Sequence, residues 1–240
     1  MCDSQKTQPT ILWNPEAVPS KGEIGMLADL AKSLVLDQAF QAVTARLHSQ
    51  QYPADGGPRN NPKASRDPFD YIEYGLSIAP EQGELIYFLC RGLRTKRVAE
   101  FATSTGMSTL YFAAAMRDNG GGLVIGSELV PEKAAAARRN LAEARLGKYA
   151  EIREGDGRQT LRDLGGPVDF VLMDGWLLHG GTSLAREVIE ILAPQIRLGG
   201  YVMNDNAEPD FLEFIRDPAN GFLCITLPIK GGTELCVKVR

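Results

Sequence analysis

The feature that most limits the fold is a regular alternation, from Arg97 onward, of short apolar runs with segments of helical periodicity. Such alternation is typical of parallel strands joined by crossover helices. Five of the runs have strand length: Val98–Phe101, Leu123–Ser127, Glu151–Arg153, Val168–Met173 and Tyr201–Asn204. Two later runs, Phe222–Leu227 and Glu234–Val239, flank a turn that contains Pro228 and a pair of glycines. They predict a closing antiparallel pair.

The N-terminal part has a different pattern. Apolar residues from Leu27 to Leu47 recur with helical spacing, and a second helix is predicted over Glu81–Arg94. Residues 53–68 contain four prolines and two glycines, which predicts a long loop. We therefore divide the chain into a helical extension with its loop, residues 1–65, and a main domain, residues 66–240. The predicted fold class is α/β, a Rossmann-like, doubly wound and mostly parallel seven-stranded sheet with a closing antiparallel strand.

Composition excludes several classes of function. The 26 basic and 30 acidic residues give a formal charge of −4, which argues against a nucleic-acid partner. No apolar run has the length of a membrane span, and the first residues lack the apolar core of a signal peptide, so we expect a cytoplasmic protein without a membrane partner. The cysteines show no Cys-x-x-Cys spacing, which makes a zinc site improbable. Cys90, Cys224 and Cys236 lie in apolar runs and are expected to be reduced core residues.

Polar residues occur where each predicted parallel strand ends. Ligands of open α/β sheets bind at the carboxyl ends of the strands. The polar segments are a loop from Glu100 to Ser108, Glu128, Gly155-Asp156-Gly157, Asp174, and Asp205-Asn206. Each has a structural explanation when taken alone, because acidic residues, Asn and Gly are common in turns. Their coincidence at five strand ends predicts a ligand cleft.

The loop after the first strand distinguishes between two cofactors. A dinucleotide requires Gly-x-Gly-x-x-Gly, and the corresponding positions here are Ala102, Ser104 and Met107. S-adenosylmethionine carries no phosphate, and hydroxyl or backbone groups at Ser104, Gly106 and Ser108 suit its carboxylate. Glu128 stands where a carboxylate would accept two ribose hydroxyls. S-adenosylmethionine is therefore the predicted cofactor, and an NAD-linked oxidoreductase ranks last.

From Leu76 to Arg240 the chain resembles class I S-adenosylmethionine-dependent methyltransferases. The resemblance is to the cation-dependent O-methyltransferases typified by catechol and caffeoyl-coenzyme A O-methyltransferases. The segments that carry it are Ser77–Gly83, Val98–Leu110, Glu128 followed by Pro131, Gly155-Asp156, Val171–Asp174, Asp205-Asn206 and Leu227–Cys236.

The resemblance implies a role for each matching residue. Residues that would hold the methionine part of the cofactor are Glu100, Ala102, Ser104, Gly106 and Ser108, and Glu128 would bind the ribose. Residues that would line the adenine pocket are Asp156, Gly157 and Arg158, with Asp174 beside the cofactor. Trp176 would lie near the adenine or the substrate mouth, and an ordinary half-buried aromatic is an equal alternative.

The family's metal ligands, which are also its catalytic residues, match Asp174, Asp205 and Asn206. Two carboxylates and a carboxamide are hard oxygen ligands suited to Mg²⁺ or a similar divalent cation, and they leave positions for a chelating diol. A metal-bound hydroxyl loses its proton more readily and can then attack the sulfonium methyl. The leading prediction is metal-assisted methyl transfer to a hydroxyl of a small catechol-like or phenolic acceptor.

Two positions depart from the family pattern, and one loop lysine has two alternative roles. Leu177 stands where the family carries a lysine that serves as general base, and His179 is the only nearby titratable group, with a solvent-facing loop histidine as the alternative. Ala102 replaces a glycine. Lys230 is expected to be a solvated loop lysine rather than an acceptor contact.

These departures leave two other functions open. One is a metal-independent methyltransferase that acts on another nucleophile, and the other is a non-catalytic protein that binds S-adenosylmethionine. The N-terminal 65 residues are expected to shape the acceptor pocket or to form a homodimer contact.

Overall fold

Seven strands form one sheet whose order is β3-β2-β1-β4-β7-β9-β8. The computed structural model describes residues 37–50, 67–175, 178–179, 181–205 and 207–240. The strands of the large sheet are β1 Arg97–Phe101, β2 Leu123–Glu128, β3 Ala150–Glu154, β4 Val168–Met173, β7 Ile196–Asp205, β8 Phe222–Leu227 and β9 Thr233–Lys238. Two short strands, β5 Leu178–His179 and β6 Thr182–Ser183, pair separately. All pairs from β3 to β7 are parallel, whereas β9 runs antiparallel to both neighbours. The predicted fold class is confirmed.

Helices cover both faces of the sheet. They are α1 Gln38–Ser49, α2 Pro80–Leu93, α3 Met107–Asp118, α4 Pro131–Glu143, α5 Gly157–Thr160, α6 Leu184–Leu192 and α7 Pro209–Arg216. Proline opens α2, α4 and α7, as expected for a residue that has no N–H to leave unpaired in the first turn. Among the helices of the described residues, none is long and apolar enough to cross a membrane.

The predicted N-terminal helix is wrong at one point. The sequence predicted a continuous helix over residues 27–47, but Asp37 has an extended backbone (φ −75°, ψ 117°) and caps the start of α1. Its side chain accepts hydrogen bonds from the N–H groups of Ala39 and Phe40, which a helical Asp37 could not do. Helical spacing alone did not reveal this capping residue. Residues 27–36 and most of the predicted loop lie outside the described residues.

Two apolar cores lie on opposite faces of the sheet. On β4, Phe170 and Leu172 join one core and Val171 and Met173 join the other. The first core also receives Phe40 and its neighbours from α1, so this helix packs against the main domain. Strands buried on both faces explain why the sequence shows continuous apolar runs instead of alternation.

The strand order reverses between β1 and β4. The chain proceeds outward from β1 through β2 to β3, and then returns to the other side of β1 to continue with β4 and β7. Connecting segments therefore leave β1 and β4 in opposite directions and open a crevice at their carboxyl ends. The fold thus places a ligand site before any side chain is considered.

Cys224 and Cys236 are corrected by the structure. They lie directly opposite each other on β8 and β9, and a disulfide joins them with a Cα–Cα distance of 4.0 Å. The sequence predicted both strands but did not reveal the register that brings the two thiols together. Cys90 is buried and free, as expected, and burial raises the pKa of its thiol to about 12.

A glycine allows α2 to approach α3 closely. A β-carbon on Gly83 would stand 2.3 Å from a ring carbon of Tyr111, which is itself buried. Since no real β-carbon comes that close, the helices can pack this way only with glycine at position 83. A β-carbon on Gly92 of the same helix would meet no other segment of the described chain within 4 Å, so this position provides a matched site.

We expect Gly83→Ala to lower the free energy of unfolding by about 1–3 kcal/mol, the usual cost of overpacking a core. Gly92→Ala should instead raise it by about 0.5 kcal/mol, because alanine restricts the unfolded chain and favours the helix. Denaturant titrations of both variants check the difference. Equal effects of the two substitutions would contradict the close packing of α2 on α3.

Candidate functional site

One cleft, of about 270 Å³, lies at the carboxyl ends of four neighbouring strands. Its lining comes from the segments that follow β1, β2, β3 and β4, together with residues before α2 and at the start of α6. The lining residues are Pro68, Leu76, Phe101, Ala102, Ser104, Ser127, Glu128, Leu129, Lys133, Gly155, Asp156, Gly157, Arg158, Asp174, Gly175 and Leu184. Seven residues predicted from the sequence to bind the cofactor are therefore brought together: Ala102, Ser104, Glu128, Asp156, Gly157, Arg158 and Asp174.

Glu100 is fully buried beneath the loop that follows β1. Its Oε2 atom accepts hydrogen bonds from the hydroxyls of Thr103 (2.8 Å) and Thr109 (2.5 Å). Burial raises the pKa of its carboxyl, because the charged form loses its hydration there. Glu100 thus fixes the shape of the loop from behind, and it lies outside the lining of the cleft, as do Gly106 and Ser108.

Two residues of this loop adopt the left-handed conformation that favours glycine. Ala102 has φ +66° and Ser104 has φ +52°. Gly106, with φ +88°, caps the start of α3, and a β-carbon there would lie 3.1 Å from the Ala137 side chain. Only the last of these positions carries glycine, so the loop holds two side chains in a costly backbone conformation.

Glu128, at the end of β2, is held in place by backbone groups. Its Oε2 accepts from the Ser104 N–H (2.6 Å) and its Oε1 from the Val130 N–H (2.9 Å). Burial raises the pKa of Glu128, opposed by these hydrogen bonds and by the ammonium of Lys133. Burial also lowers the pKa of Lys133. The sequence analysis did not identify Lys133 as a residue of the cleft, because helical spacing does not distinguish a lysine beside a cleft from a solvated one.

The segment after β3 forms a third wall of the cleft. The Asp156 side chain caps the short helix α5 by accepting from the Arg158 N–H at 2.8 Å. The Arg158 guanidinium in turn pairs with Asp156 (2.6 Å) and with Glu187 of α6 (2.7 Å). An ion pair therefore joins this wall to α6.

The fourth wall begins at Asp174. Its N–H donates to the Phe101 carbonyl at 3.2 Å, and the residue lines the cleft together with Gly175. Trp176, Leu177 and Asn206 lie outside the described residues, as does the side chain of His179. The roles predicted for them remain predictions.

Asp205, at the end of β7, belongs to a separate buried cluster. Its Oδ1 accepts from the Gln82 Nε2 at 2.9 Å, and its Oδ2 forms an ion pair with the Lys230 ammonium. Gln82 also donates to the Thr233 hydroxyl (2.8 Å), while Lys230 donates to the Ser77 carbonyl (3.0 Å). Asp205 lies outside the lining of the cleft.

The prediction of a solvated loop lysine at position 230 is wrong. The Lys230 side chain is 17% exposed and pairs with a carboxylate whose side chain is 0% exposed. A signal for this cluster was present in the sequence, because Gln82 and Lys230 lie in the two motifs Ser77–Gly83 and Leu227–Cys236. What the motifs could not show is that they meet around Asp205.

We expect Ala102→Gly to raise the free energy of unfolding by about 1 kcal/mol, since glycine adopts a left-handed backbone without steric cost. Ala136→Gly, within helix α4, should lower it by about 1 kcal/mol because glycine is a poor helix former. Thermal and denaturant unfolding of both variants provide the measurement. A loss of stability in Ala102→Gly would show that the loop carries no such strain.

The chain is similar in sequence to known methyltransferases. A family model described as a methyltransferase domain matches residues 99–207. A catechol O-methyltransferase of Niastella koreensis is 29% identical over 146 residues, covering 55% of this chain and 63% of that protein. A catechol O-methyltransferase of Mycobacterium tuberculosis is 28% identical over 142 residues, covering 56% and 64%. The chain thus spans slightly less than two thirds of the length of these relatives.

Solved structures share the fold. An O-methyltransferase from Streptomyces achromogenes involved in tomaymycin synthesis, in complex with S-adenosylmethionine, has a TM-score of 0.61 and 20% identity over 92% of this chain and 100% of its own. An O-methyltransferase from Bacillus cereus, in complex with S-adenosylhomocysteine, has a TM-score of 0.61 and 19% identity over 89% and 97%. At these identities the likeness concerns the fold. Taken with the matched domain and the catechol O-methyltransferase relatives, it supports the predicted resemblance: residues 99–207 match a methyltransferase domain, and the chain shares its fold with S-adenosylmethionine-dependent O-methyltransferases.

Proposed function

We propose that the protein transfers the methyl group of S-adenosylmethionine to a hydroxyl oxygen of a small phenolic acceptor. The observation that carries the proposal is the cleft at four strand ends, with the Glu128 carboxylate fixed at the end of β2. The catechol O-methyltransferases among the relatives support a phenolic acceptor.

The residues that line the cleft suit the parts of this cofactor. The Glu128 carboxylate accepts from the backbone N–H groups of Ser104 and Val130, with Leu129 as a further backbone donor, and its remaining lone pairs suit ribose hydroxyls. The loop from Ala102 to Ser108 would hold the methionine part, and the wall from Asp156 to Arg158 would hold the adenine. Glu100 supports the loop, so we assign it a positioning role.

The remaining lining favours an aromatic acceptor. Apolar side chains of Pro68, Leu76, Leu129 and Leu184 face the same cleft. Such surface buries a ring and excludes water, and the chemistry then depends on holding the acceptor oxygen in line with the sulfonium methyl. Transfer breaks the sulfonium–methyl bond, leaves S-adenosylhomocysteine and releases the hydroxyl proton to solvent, because Leu177 replaces the lysine that serves the family as general base.

A divalent cation fits the described residues poorly. The sequence predicted Asp174, Asp205 and Asn206 as its ligands, but both Asp205 oxygens are engaged, one by Gln82 and one by the Lys230 ammonium. A cation at Asp205 would stand beside an ammonium of the same sign. We therefore favour methyl transfer to the hydroxyl without a metal. The metal-assisted reaction, which was the leading prediction from the sequence, is the competing hypothesis. Homodimer formation, a cytoplasmic location and the division of the chain near residue 65 stay predictions.

Replacement of Glu128 tests the cofactor site. We expect Glu128→Gln to weaken S-adenosylmethionine binding roughly tenfold to a hundredfold, because hydrogen bonds to a charged group contribute about 1.5–3 kcal/mol. Glu132→Gln, on the exposed first turn of α4, should bind like the wild type. Isothermal titration calorimetry gives both affinities. Unchanged binding by folded Glu128→Gln would place the ribose elsewhere.

Turnover tests the reaction. We expect S-adenosylhomocysteine to form with phenols or catechols and not with their fully O-methylated ethers, which have no hydroxyl to accept the methyl group. EDTA should leave the rate unchanged if no metal takes part, whereas loss of turnover that Mg²⁺ restores would favour the metal-assisted reaction. Binding of S-adenosylmethionine without turnover of any acceptor in the panel would support the non-catalytic alternative.

A further inference from the structure

We propose that the Lys230 ammonium occupies the position at Asp205 that a divalent metal would otherwise take. This inference deepens the proposed function and rests on it. The geometry that points to it is the contact between the Lys230 Nζ and the Asp205 Oδ2, within a cluster that closes around the carboxylate.

The Asp205 carboxylate requires a partner of opposite charge. Its side chain is 0% exposed, and an ionised carboxylate without compensation is too costly to bury. Gln82 supplies a neutral donor to Oδ1, and Lys230 supplies the positive charge at Oδ2. The carboxylate is therefore neutralised from within the chain, by a group that cannot dissociate.

Lys230 is held in this position by the fold. Its backbone has φ +50°, in the left-handed region, and its ammonium also donates to the Ser77 carbonyl at 3.0 Å. The turn that carries it is closed by hydrogen bonds from the Gly232 N–H (2.9 Å) and the Thr233 hydroxyl (3.1 Å) to the Ile229 carbonyl. Contacts other than the ion pair therefore hold the backbone of the turn that carries Lys230.

An ammonium and a divalent ion differ in what they offer a substrate. Mg²⁺ leaves coordination positions open and selects acceptors with two adjacent oxygens. The Lys230 ammonium directs donors to Asp205 and Ser77 and has no coordination sphere for a chelating diol. The acceptor class that follows is the phenols in general, with no requirement for a catechol.

The test is a titration of the full chain with Mn²⁺, in which electron paramagnetic resonance measures the bound ion. We expect weak binding by the wild type, and at least tenfold tighter binding by Lys230→Met and by Lys230→Gly, because removal of the ammonium frees the charge of Asp205. Adding Asp205→Asn to either variant should abolish the gain. Glycine suits the left-handed backbone at position 230, so Lys230→Gly maintains the test if Lys230→Met fails to fold.

Lys148→Met, which removes an exposed lysine, is the control and should bind Mn²⁺ like the wild type. The proposal is overturned if folded Lys230 variants bind no more tightly than the wild type. It is equally overturned if the wild type already binds Mn²⁺ as tightly as the variants and Asp205→Asn removes that binding. Because Mn²⁺ binding requires no acceptor, these outcomes are independent of whether turnover is found.

Discussion

Parallel pairing of β1 with both β2 and β4 is the constraint on which the rest of the structure depends. Parallel strands point their carboxyl ends to one edge of the sheet, and the reversal of strand order beside β1 opens a crevice at that edge. Polar residues far apart in the chain, such as Glu128 and Asp174, become neighbours of one cleft for this reason. The sheet topology determines where the cleft lies, and the side chains at the strand ends determine what it can bind.

Sequence patterns predicted what depends on local order. The five parallel strands, the closing hairpin and most helices follow from periodicity and from proline and glycine at their ends. The residues assigned to the cofactor were predicted because strand ends are sites of known position in this architecture, and seven of them line the cleft. Where the predicted helix over residues 27–47 failed, a single side chain decided the outcome, since Asp37 bonds its own following backbone instead of continuing a helix.

Contacts that join distant segments could not be predicted in this way. Gln82 reaches Asp205 across 123 residues and Thr233 across 151, and no local spacing encodes either bond. The pairing of Cys224 with Cys236 depends on hairpin register, which the turn residues left undefined. In both cases the structure corrected a prediction. Lys230, predicted to be solvated, pairs with a carboxylate, and Cys224 and Cys236, predicted to be reduced, form a disulfide.

The buried carboxylate of Glu100 has a consequence for how the ligand is received. Since it anchors Thr103 and Thr109 from inside the protein, the loop above it has its shape without help from a bound molecule. The entropy of ordering that segment is lost once, when the chain folds, and is not lost again in each association event. Binding then does not include the entropic cost of ordering this loop, and the left-handed backbone at Ala102 and Ser104 is maintained by the folded protein and not by a ligand.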